Sequence, residues 1–351
     1  MHKLQKVRRS MHRKMYRLVI SIILIFVCGC SARQVGHGDG SSVLFNDTRL
    51  LMDTYCTIVI HGNADSGLLD EAFELCAELE ALLSITIESS DVWRINNAAG
   101  EPVSVDTRTI EVIKTGLTLG EISNGMFDIT IGRLSRLWDF QGQGDGSSVS
   151  LLPAPSEIEK SKATIDYTQV QIDGDAVRLK NQDAWIDLGA IAKGYIADWI
   201  VELLKERGVS GALIDLGGDV ITIGNRPGGD PWRVALRKPF GSADEWVGIV
   251  EVSDAAVVSS GTYERQFEVD GITYHHILDP TTGKPVITDI AGATVIAEDA
   301  LTGEGLSTIA VLLGSERAPV YFEQTPGFIG AVLVLNNGEV LLFGDLQFTK
   351  V

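Results

Sequence analysis

The second half of this sequence is a series of short, strand-like runs separated by tight-turn signals. Asp270-Gly271 joins two of these runs, and Asn336-Asn337-Gly338 turns a last hairpin within residues 328–344. Further strand-like runs occupy residues 211–224, 231–238, 246–252, 256–260, 264–269 and 272–278. Hairpin-linked strands with separate helices predict the α+β class, with a mixed, mostly antiparallel sheet flanked by helices, and argue against a doubly wound sheet.

Helices and domain limits follow from apolar spacing and composition. We predict helices over residues 66–83, 107–123, 190–207 and 303–313, a hairpin over residues 170–180 and a loop over residues 141–150. Asp106 or Thr107 is a candidate cap of the second helix. Because neither a Pro-rich linker nor a repeat divides the chain, we expect one large domain over residues 43–351, with two lobes as the alternative.

The N-terminus is typical of a secretory signal. Seven Lys or Arg residues and no acid lie among the first 17 positions, and a short apolar run, residues 18–27, follows. Val27-Cys28-Gly29-Cys30 resembles a bacterial lipobox, with Cys30 as the lipidated first mature residue. We predict a lipoprotein signal peptide (1–29), a flexible tether (30–42) and a lipid-anchored protein of the cell envelope. An ordinary signal peptide or an uncleaved anchor is the alternative.

The mature chain is strongly acidic. The full sequence has a net charge of −18, and loss of the seven N-terminal positive charges makes it −25. Such a surface repels nucleic acid and anionic lipid, so a phosphate ligand needs local help from a metal ion or from backbone N–H groups. Cys56 and Cys76 are interpreted as buried free thiols, and a disulfide between them is the less favoured alternative.

Residues 259–285 concentrate ionisable groups, hydroxyls and tight turns. His275 and His276 are followed by Asp279-Pro280 and by a Thr-Thr-Gly turn. Because buried polar groups must all find partners, this density favours a functional site over a core strand.

Two glycine-containing turns carry further candidates. IDLGAIAKGY at 186–195 predicts a strand that runs through a turn into a helix, with Asp187 at the strand end and Lys193 in the first helical turn. This arrangement points backbone N–H groups at a ligand, although a solvated lysine at an ordinary helix start explains it equally well. DLGGD at 215–219 is interpreted as a close backbone approach or as a bulge between strands.

Two acids stand in apolar surroundings. Asp128 lies in the apolar segment 127–140, where a buried acid needs a partner or a metal, or else caps a turn. Glu304 and Thr308 are four residues apart and share one helix face. A carboxylate and a hydroxyl in this position could ligate a hard cation such as Mg²⁺, although this spacing is common in helices.

In their order along the chain, these segments resemble the FAD:protein FMN transferase family, also called ApbE-type flavin transferases. The resemblance runs from about Leu50 to Gly314 and implies an ApbE-like, T-fold-like domain. The motifs that carry it are Met52-Asp53-Thr54, residues 84–96 ending in Arg94-Ile95-Asn96, residues 127–140, IDLGAIAKGY, DLGGD, SSGTYER, HHILDPTTG and GEGLST.

The resemblance implies a specific activity. Such enzymes bind FAD as a substrate together with Mg²⁺, transfer its FMN half to a Ser or Thr hydroxyl of a target protein, and release AMP. The targets are typically subunits of membrane redox complexes, with an acceptor motif of the form Asp-x-x-Ser/Thr-Gly-Ala-Ser/Thr.

The resemblance also implies roles for individual residues. The implied metal ligands are the Ala190 carbonyl, Glu304 and Thr308. The implied catalytic residues are Lys193, Asp187 and His276, with His276 as the base for the acceptor hydroxyl or, alternatively, as a residue that holds the adenine or the turn. The implied FAD-binding residues are Met52, Met126, Phe127, Asp128, Asp187, Lys193, His276 and Ser307.

Two positions depart from the family pattern. Glu304 replaces the usual Asp, which moves the carboxylate by over about 1 Å relative to a metal ion. Thr86 stands where the family often has Tyr or Trp, so a ring that could stack on FAD is missing. A Mg²⁺-dependent FAD pyrophosphatase and a non-catalytic FAD-binding lipoprotein are the alternatives to transfer, because both use the same site.

Overall fold

An antiparallel sheet of nine strands organises the part of the chain that the computed structural model describes, residues 36–37, 43–62, 67–140 and 152–351. The predicted signal peptide, most of the tether and the predicted loop 141–150 lie outside these residues. Strands are numbered in chain order. Across the large sheet they are β1 (Gly36–His37), β2 (Val43–Leu51), β3 (Thr54–Gly62), β7 (Gly211–Leu216), β8 (Asp219–Ile223), β11 (Ala256–Gly261), β16 (Ile290–Ala297), β17 (Phe328–Leu335) and β18 (Val340–Gly344).

Every neighbouring pair in this sheet is antiparallel, so the predicted α+β class with a mostly antiparallel sheet is confirmed. Smaller sheets surround it. They are the sheet of β4 (Val103–Ser104), β5 (Val170–Asp173) and β6 (Ala176–Leu179), the sheet of β9 (Trp232–Arg237), β10 (Trp246–Val252) and β19 (Phe348–Lys350), the hairpin of β12 (Gln266–Val269) and β13 (Ile272–His275), and the pair β14 (Leu278–Asp279) and β15 (Lys284–Pro285).

The predicted helices form with shifts of at most a few residues. Asp106 caps the second one by accepting a hydrogen bond from the Arg108 N–H at 2.9 Å. The helices of the described residues are α1 (Gly67–Leu83), α2 (Asp91–Asn96), α3 (Thr107–Ile122), α4 (Gly132–Trp138), α5 (Pro155–Lys162), α6 (Ala192–Glu206), α7 (Ala300–Leu313) and α8 (Ala318–Gln324). None of these helices combines the length and the hydrophobicity that a membrane span requires.

The two faces of the large sheet are covered differently. Helix α7 packs on β11 and β16, α6 packs on α7, and α1 packs on α6. On the opposite face the β9–β10–β19 sheet buries Val234 and Val250 against Val257 and Ile296. Strand β16 is buried along its whole length because both of its faces are covered. Cys56 and Cys76 are buried and are not joined by a disulfide, which confirms the prediction of free thiols.

Candidate active site

Helices α6 and α7 approach each other closely at their N-terminal ends. A methyl group added at Gly194 would lie 2.6 Å from the Ala300 carbonyl oxygen, so only glycine fits there without a shift. Asp198 accepts hydrogen bonds from the Ala300 and Leu301 N–H groups at 2.8 and 3.0 Å. Burial raises the pKa of Asp198 to about 7, against the effect of these two donors. The start of α7 is thereby fixed against α6.

An ammonium group between two carboxylates lies at this junction. The Lys193 ammonium donates hydrogen bonds to Asp219 and Glu304, and the Gly194 N–H donates to the second Glu304 oxygen at 2.7 Å. The Asp219 and Glu304 side chains are 6% and 5% exposed, whereas that of Lys193 is 27% exposed. Burial lowers the pKa of Lys193, but the two carboxylates outweigh it and raise the pKa above its ordinary value. Lys193 therefore stays charged, and its side chain is the most exposed of the three.

Paired glycines bring Asp219 to this cluster. Gly217 and Gly218 form the two-residue turn between β7 and β8, with φ angles of +70° and +100° that glycine adopts readily. A methyl group on Gly217 would lie 2.5 Å from the Thr54 hydroxyl. DLGGD is therefore a hairpin turn that also approaches the neighbouring chain closely, and the alternative of a bulge is wrong.

The turn that precedes α6 carries Asp187 and Ala190. The strand predicted before this turn is wrong, because only an isolated bridge forms at Trp185. Asn96 fixes this segment instead, because its side chain donates to the Ile186 carbonyl at 2.8 Å and accepts from the Ile186 N–H at 2.7 Å. Asp187 accepts from the Gly189 N–H at 2.9 Å, and Ala190 is exposed. The Arg94-Ile95-Asn96 motif thus orients the Asp187 turn from a distance of some 90 residues in sequence.

A line of hydroxyl groups lies beside Glu304 on α7. Ser260 of β11 lies 2.8 Å from the Ser307 hydroxyl and 3.3 Å from the Thr308 hydroxyl. The Ser307 hydroxyl also donates to the Glu304 carbonyl at 3.1 Å. The structure therefore brings together four residues that the sequence predicted and adds Asp219 and Ser260 to them. The four predicted residues are Lys193, Glu304, Ser307 and Thr308.

The segment after α3 carries three of the predicted FAD-binding residues, Met126, Phe127 and Asp128. Met126 is half-buried and Phe127 is 5% exposed within the main core. Asp128 accepts hydrogen bonds from the Thr130 N–H and hydroxyl at 2.7 and 2.6 Å, and from the Tyr167 N–H at 3.0 Å. These bonds make Asp128 a turn-capping residue, the alternative that the sequence left open. Contact of these residues with FAD stays a prediction.

Met52 lies in the two-residue turn between β2 and β3. Its φ angle is +52°, and its N–H donates to Glu80 at 3.0 Å. Thr54, two residues after Met52, lies against the Gly217 turn. That turn presents Asp219. The Met-Asp-Thr motif thus lies next to the DLGGD motif in space.

The two histidines have low proton affinity. Burial, with the charge of Arg265 and the neighbouring His275, lowers the pKa of His276 to about 4. The charge of Lys193 contributes a smaller part of the same shift. Burial therefore holds the pKa of His276 well below that of an exposed histidine. His275 contacts the Val286 carbonyl through Nε2 at 3.1 Å, and burial lowers its pKa too.

The residues predicted to hold a metal ion offer only oxygen donors, which suit a hard cation. The described residues contain no group of three or more His, Cys, Asp or Glu side chains that could hold a metal ion, so the predicted set depends on one carboxylate, one hydroxyl and one carbonyl. Glu304 and Thr308 lie on the same face of α7, and the Gly194 N–H, four residues after Ala190, binds Glu304. The set therefore fits Mg²⁺ in donor chemistry, with Lys193 as a neighbouring charge.

Some site residues escaped sequence reasoning. Asp219 and Ser260 were parts of motifs but were not assigned roles, because their contacts with Lys193 and Thr308 span 26 and 48 residues. An acidic residue directly after a Gly-Gly turn is the sequence signal that could have indicated Asp219.

Known proteins share this fold and part of this sequence. Residues 52–333 match the family model described as the ApbE family. The chain is 30% identical over 330 residues to a FAD:protein FMN transferase of Treponema pallidum, covering 88% of each chain. It is 35% identical over 281 residues to another from Klebsiella pneumoniae, covering 79% of this chain and 85% of the relative. The solved structure of the flavin transferase ApbE from Vibrio cholerae matches with a TM-score of 0.75 at 27% identity, over 86% of this chain and 97% of that chain.

These matches define a transferase of the flavin-transferring class. The chain belongs to the ApbE family, and the family and enzyme class predicted from the sequence are confirmed.

Proposed function

We propose that this protein transfers the FMN half of FAD to a Ser or Thr hydroxyl of an exported target protein and releases AMP, in a reaction that requires Mg²⁺. The target carries an acceptor motif of the form Asp-x-x-Ser/Thr-Gly-Ala-Ser/Thr and is a subunit of a membrane redox complex. The protein is held at the membrane by a lipid on Cys30. The observation that carries the proposal is the cluster of Lys193, Asp219 and Glu304 at the junction of two helices in an ApbE-family fold.

The reaction balances without an oxidant or reductant. The target hydroxyl oxygen attacks the phosphorus atom of the FMN half, and the bond from that phosphorus to the bridging oxygen breaks. AMP leaves with the bridging oxygen, and the hydroxyl proton goes to a base. Positioning and electrostatic stabilisation supply most of the rate enhancement in such phosphoryl transfers.

The charges of the cluster explain how an acidic protein accepts a diphosphate. Two carboxylates against one ammonium leave a net negative charge beside the phosphates, which favours a cation there. Glu304, Thr308 and the Ala190 carbonyl would hold Mg²⁺, and a bound Mg²⁺ would offset the diphosphate charge. The Lys193 ammonium would bind phosphate oxygens, whereas the Ala192 and Gly194 N–H groups already donate to the Leu188 carbonyl and to Glu304.

His276 is the proposed base. With a pKa lowered to about 4, its imidazole is neutral near pH 7 and can accept the hydroxyl proton, although it is a weaker base than an exposed histidine.

Intact-mass measurement tests the proposed reaction. The purified protein is incubated with FAD, Mg²⁺ and a purified domain that carries the acceptor motif. We expect the acceptor to gain the mass of one phosphoester-linked FMN and AMP to appear in equal amount. Free FMN and AMP with an unmodified acceptor would indicate a pyrophosphatase, and unchanged FAD would indicate binding alone; either result contradicts transfer.

A further inference from the structure

A groove without charged walls lies beside the candidate active site. Its volume is about 220 Å³, and its lining includes Phe240, Thr273, His275, Val286 and Ile287. The lining residues are apolar or neutral polar, with His275 as the one titratable group among them. Burial lowers the pKa of His275, so it too is neutral near pH 7. In a chain with a net charge of −18, this is a surface where an uncharged segment binds without repulsion.

Two large apolar side chains stand exposed at this groove. Ile287 is 100% exposed and Phe240 is 61% exposed. Phe240 has a φ of +57°, a conformation that is unfavourable for an aromatic residue, and its ring packs edge-on against Tyr263 with centroids 6.0 Å apart. An exposed aromatic ring that is held in place in this way, next to a second exposed apolar side chain, is typical of protein interaction sites.

The groove is continuous with the active site through two segments of chain. Ser260 contacts Ser307 and Thr308, and two residues later Thr262 lines the groove. On the other side His275 lines the groove, and its neighbour His276 is the proposed base. The backbone that lines the groove is therefore two residues from Ser260 and one residue from His276.

The size of the groove excludes the nucleotide as its occupant. Small-molecule sites typically enclose about 300–1,000 Å³. A volume of about 220 Å³ suits one or two residues of an extended polypeptide better than a flavin dinucleotide.

We propose that this groove binds the segment of the target protein next to the acceptor hydroxyl, as an extended, uncharged stretch of chain that packs an apolar side chain against Phe240 and Ile287. This inference depends on the proposed transferase function. It assigns recognition of the acceptor to residues that touch neither the metal ligands nor the Lys193 cluster.

Truncation of the two exposed side chains tests the inference. The double variant Phe240→Asn and Ile287→Ser removes the apolar contacts, and Asn tolerates the positive φ at position 240. Ile272→Ser is the matched control, because Ile272 is 57% exposed on β13, whose Thr273 and His275 line the groove, but does not line the groove itself. Since all three side chains are exposed, the variants are expected to keep the wild-type melting temperature.

Steady-state transfer to the purified acceptor domain gives the readout. We expect the double variant to raise KM for the acceptor by at least about tenfold, with kcat at saturating acceptor and KM for FAD unchanged, and the control to match the wild type. An unchanged acceptor KM, or a change in KM for FAD alone, overturns the inference while transfer by the wild type stands. Absence of transfer by the wild type instead overturns the proposed function, and the inference falls with it.

Cross-linking identifies the occupant independently. The photoreactive residue p-benzoylphenylalanine, placed at position 287, is expected to cross-link the acceptor domain on illumination, and the same residue at position 272 is not. Cross-linking of position 287 only to a second copy of this chain would show that the groove is a self-association surface and would overturn the inference.

Discussion

Lys193 balances the charge of the site at the scale of single residues. Its ammonium group lies between Asp219 and Glu304, both almost fully buried, and all three groups depend on one another for partners. Removing one member of such a group leaves a buried charge without a partner. This loss destabilises the fold by more than the intact pair stabilises it. The departure from the family's usual Asp is accommodated here because the longer Glu304 side chain reaches the Gly194 N–H at 2.7 Å.

Glu304→Gln removes the charge at this position and keeps the shape of the side chain. The amide is isosteric and its oxygen can still accept from Gly194, so the fold is expected to survive, while the charge that a cation needs is lost. We expect Mg²⁺-dependent transfer to fall by about two orders of magnitude, as for loss of one electrostatic contact in other enzymes. Activity is measured against Mg²⁺ concentration, with the exposed Glu298→Gln as the control.

Glu304→Asp completes this series. It restores the family's usual ligand and keeps the charge, so we expect it to retain activity. Full activity of Glu304→Gln with unchanged Mg²⁺ dependence would show that the carboxylate is not a metal ligand.

The protonation of His276 is a second residue-scale prediction. Because burial lowers its pKa to about 4 while an unfolded histidine titrates near 6.5, the unfolded chain binds the proton more readily. Its contribution to stability is complete above about pH 6.5 and is lost as the pH falls through about 4. NMR of ¹³C-histidine protein, with the signal assigned from His276→Gln, is expected to show a midpoint near 4. A midpoint at 6.5 or above would contradict the buried environment.

At the scale of elements, the site is assembled where α6 and α7 meet. Gly194 lets the helices approach, Asp198 holds the first turn of α7, and Asn96 holds the segment that leads into α6. Each contact fixes backbone and carries no chemistry of its own. The reacting groups therefore depend on residues that a ligand does not touch.

Gly194→Ala tests this dependence. The new methyl group would lie 2.6 Å from the Ala300 carbonyl oxygen, so the helices must separate and Glu304 must move relative to Lys193. We expect a loss of about 1–3 kcal/mol in the free energy of unfolding, together with weaker FAD binding. Denaturant unfolding and FAD titration measure the two effects.

Gly241→Ala is the control for that substitution, since its methyl group would meet only the Lys238 and Glu245 side chains, at 3.1 Å and beyond. Wild-type stability and FAD binding in Gly194→Ala would show that the helix contact does not position the site.

The parts of the fold that the sequence could predict are those fixed by contacts between residues close together in the chain. The Asp270-Gly271 hairpin and the Asp106-capped helix follow from neighbouring residues, and both form as predicted. The bond from Lys193 to Glu304 spans 111 residues, and the pairing of Asn96 with Ile186 spans 90. Family resemblance indicated several of these residues, but only the three-dimensional structure identified Asp219 as the second carboxylate at Lys193.

At the scale of the whole molecule, the acidic domain and its N-terminal segment are proposed to work together at a membrane surface. The lipobox and tether lie outside the described residues, so their role is argued from sequence. A tether lets the domain reach the acceptor segments of membrane-bound partners while the lipid holds it nearby.

Cys30→Ala tests the anchor, with Cys28→Ala as the matched control two residues away. In a bacterial host fed an alkyne-labelled fatty acid, we expect the wild type and Cys28→Ala to be labelled and to sediment with membranes. Cys30→Ala is expected to lose both properties. Labelling of Cys30→Ala would show that the lipid, if present, is attached elsewhere.

The position of the cation beside FAD tests the central claim most directly. Crystals grown with FAD and with Mn²⁺ in place of Mg²⁺ allow the ion to be located by anomalous scattering. We predict one ion within about 2.0–2.6 Å of the Glu304 carboxylate, the Thr308 hydroxyl and the FAD diphosphate. Bound FAD with no ion at α7, or an ion that contacts neither Glu304 nor Thr308, would contradict the proposed site.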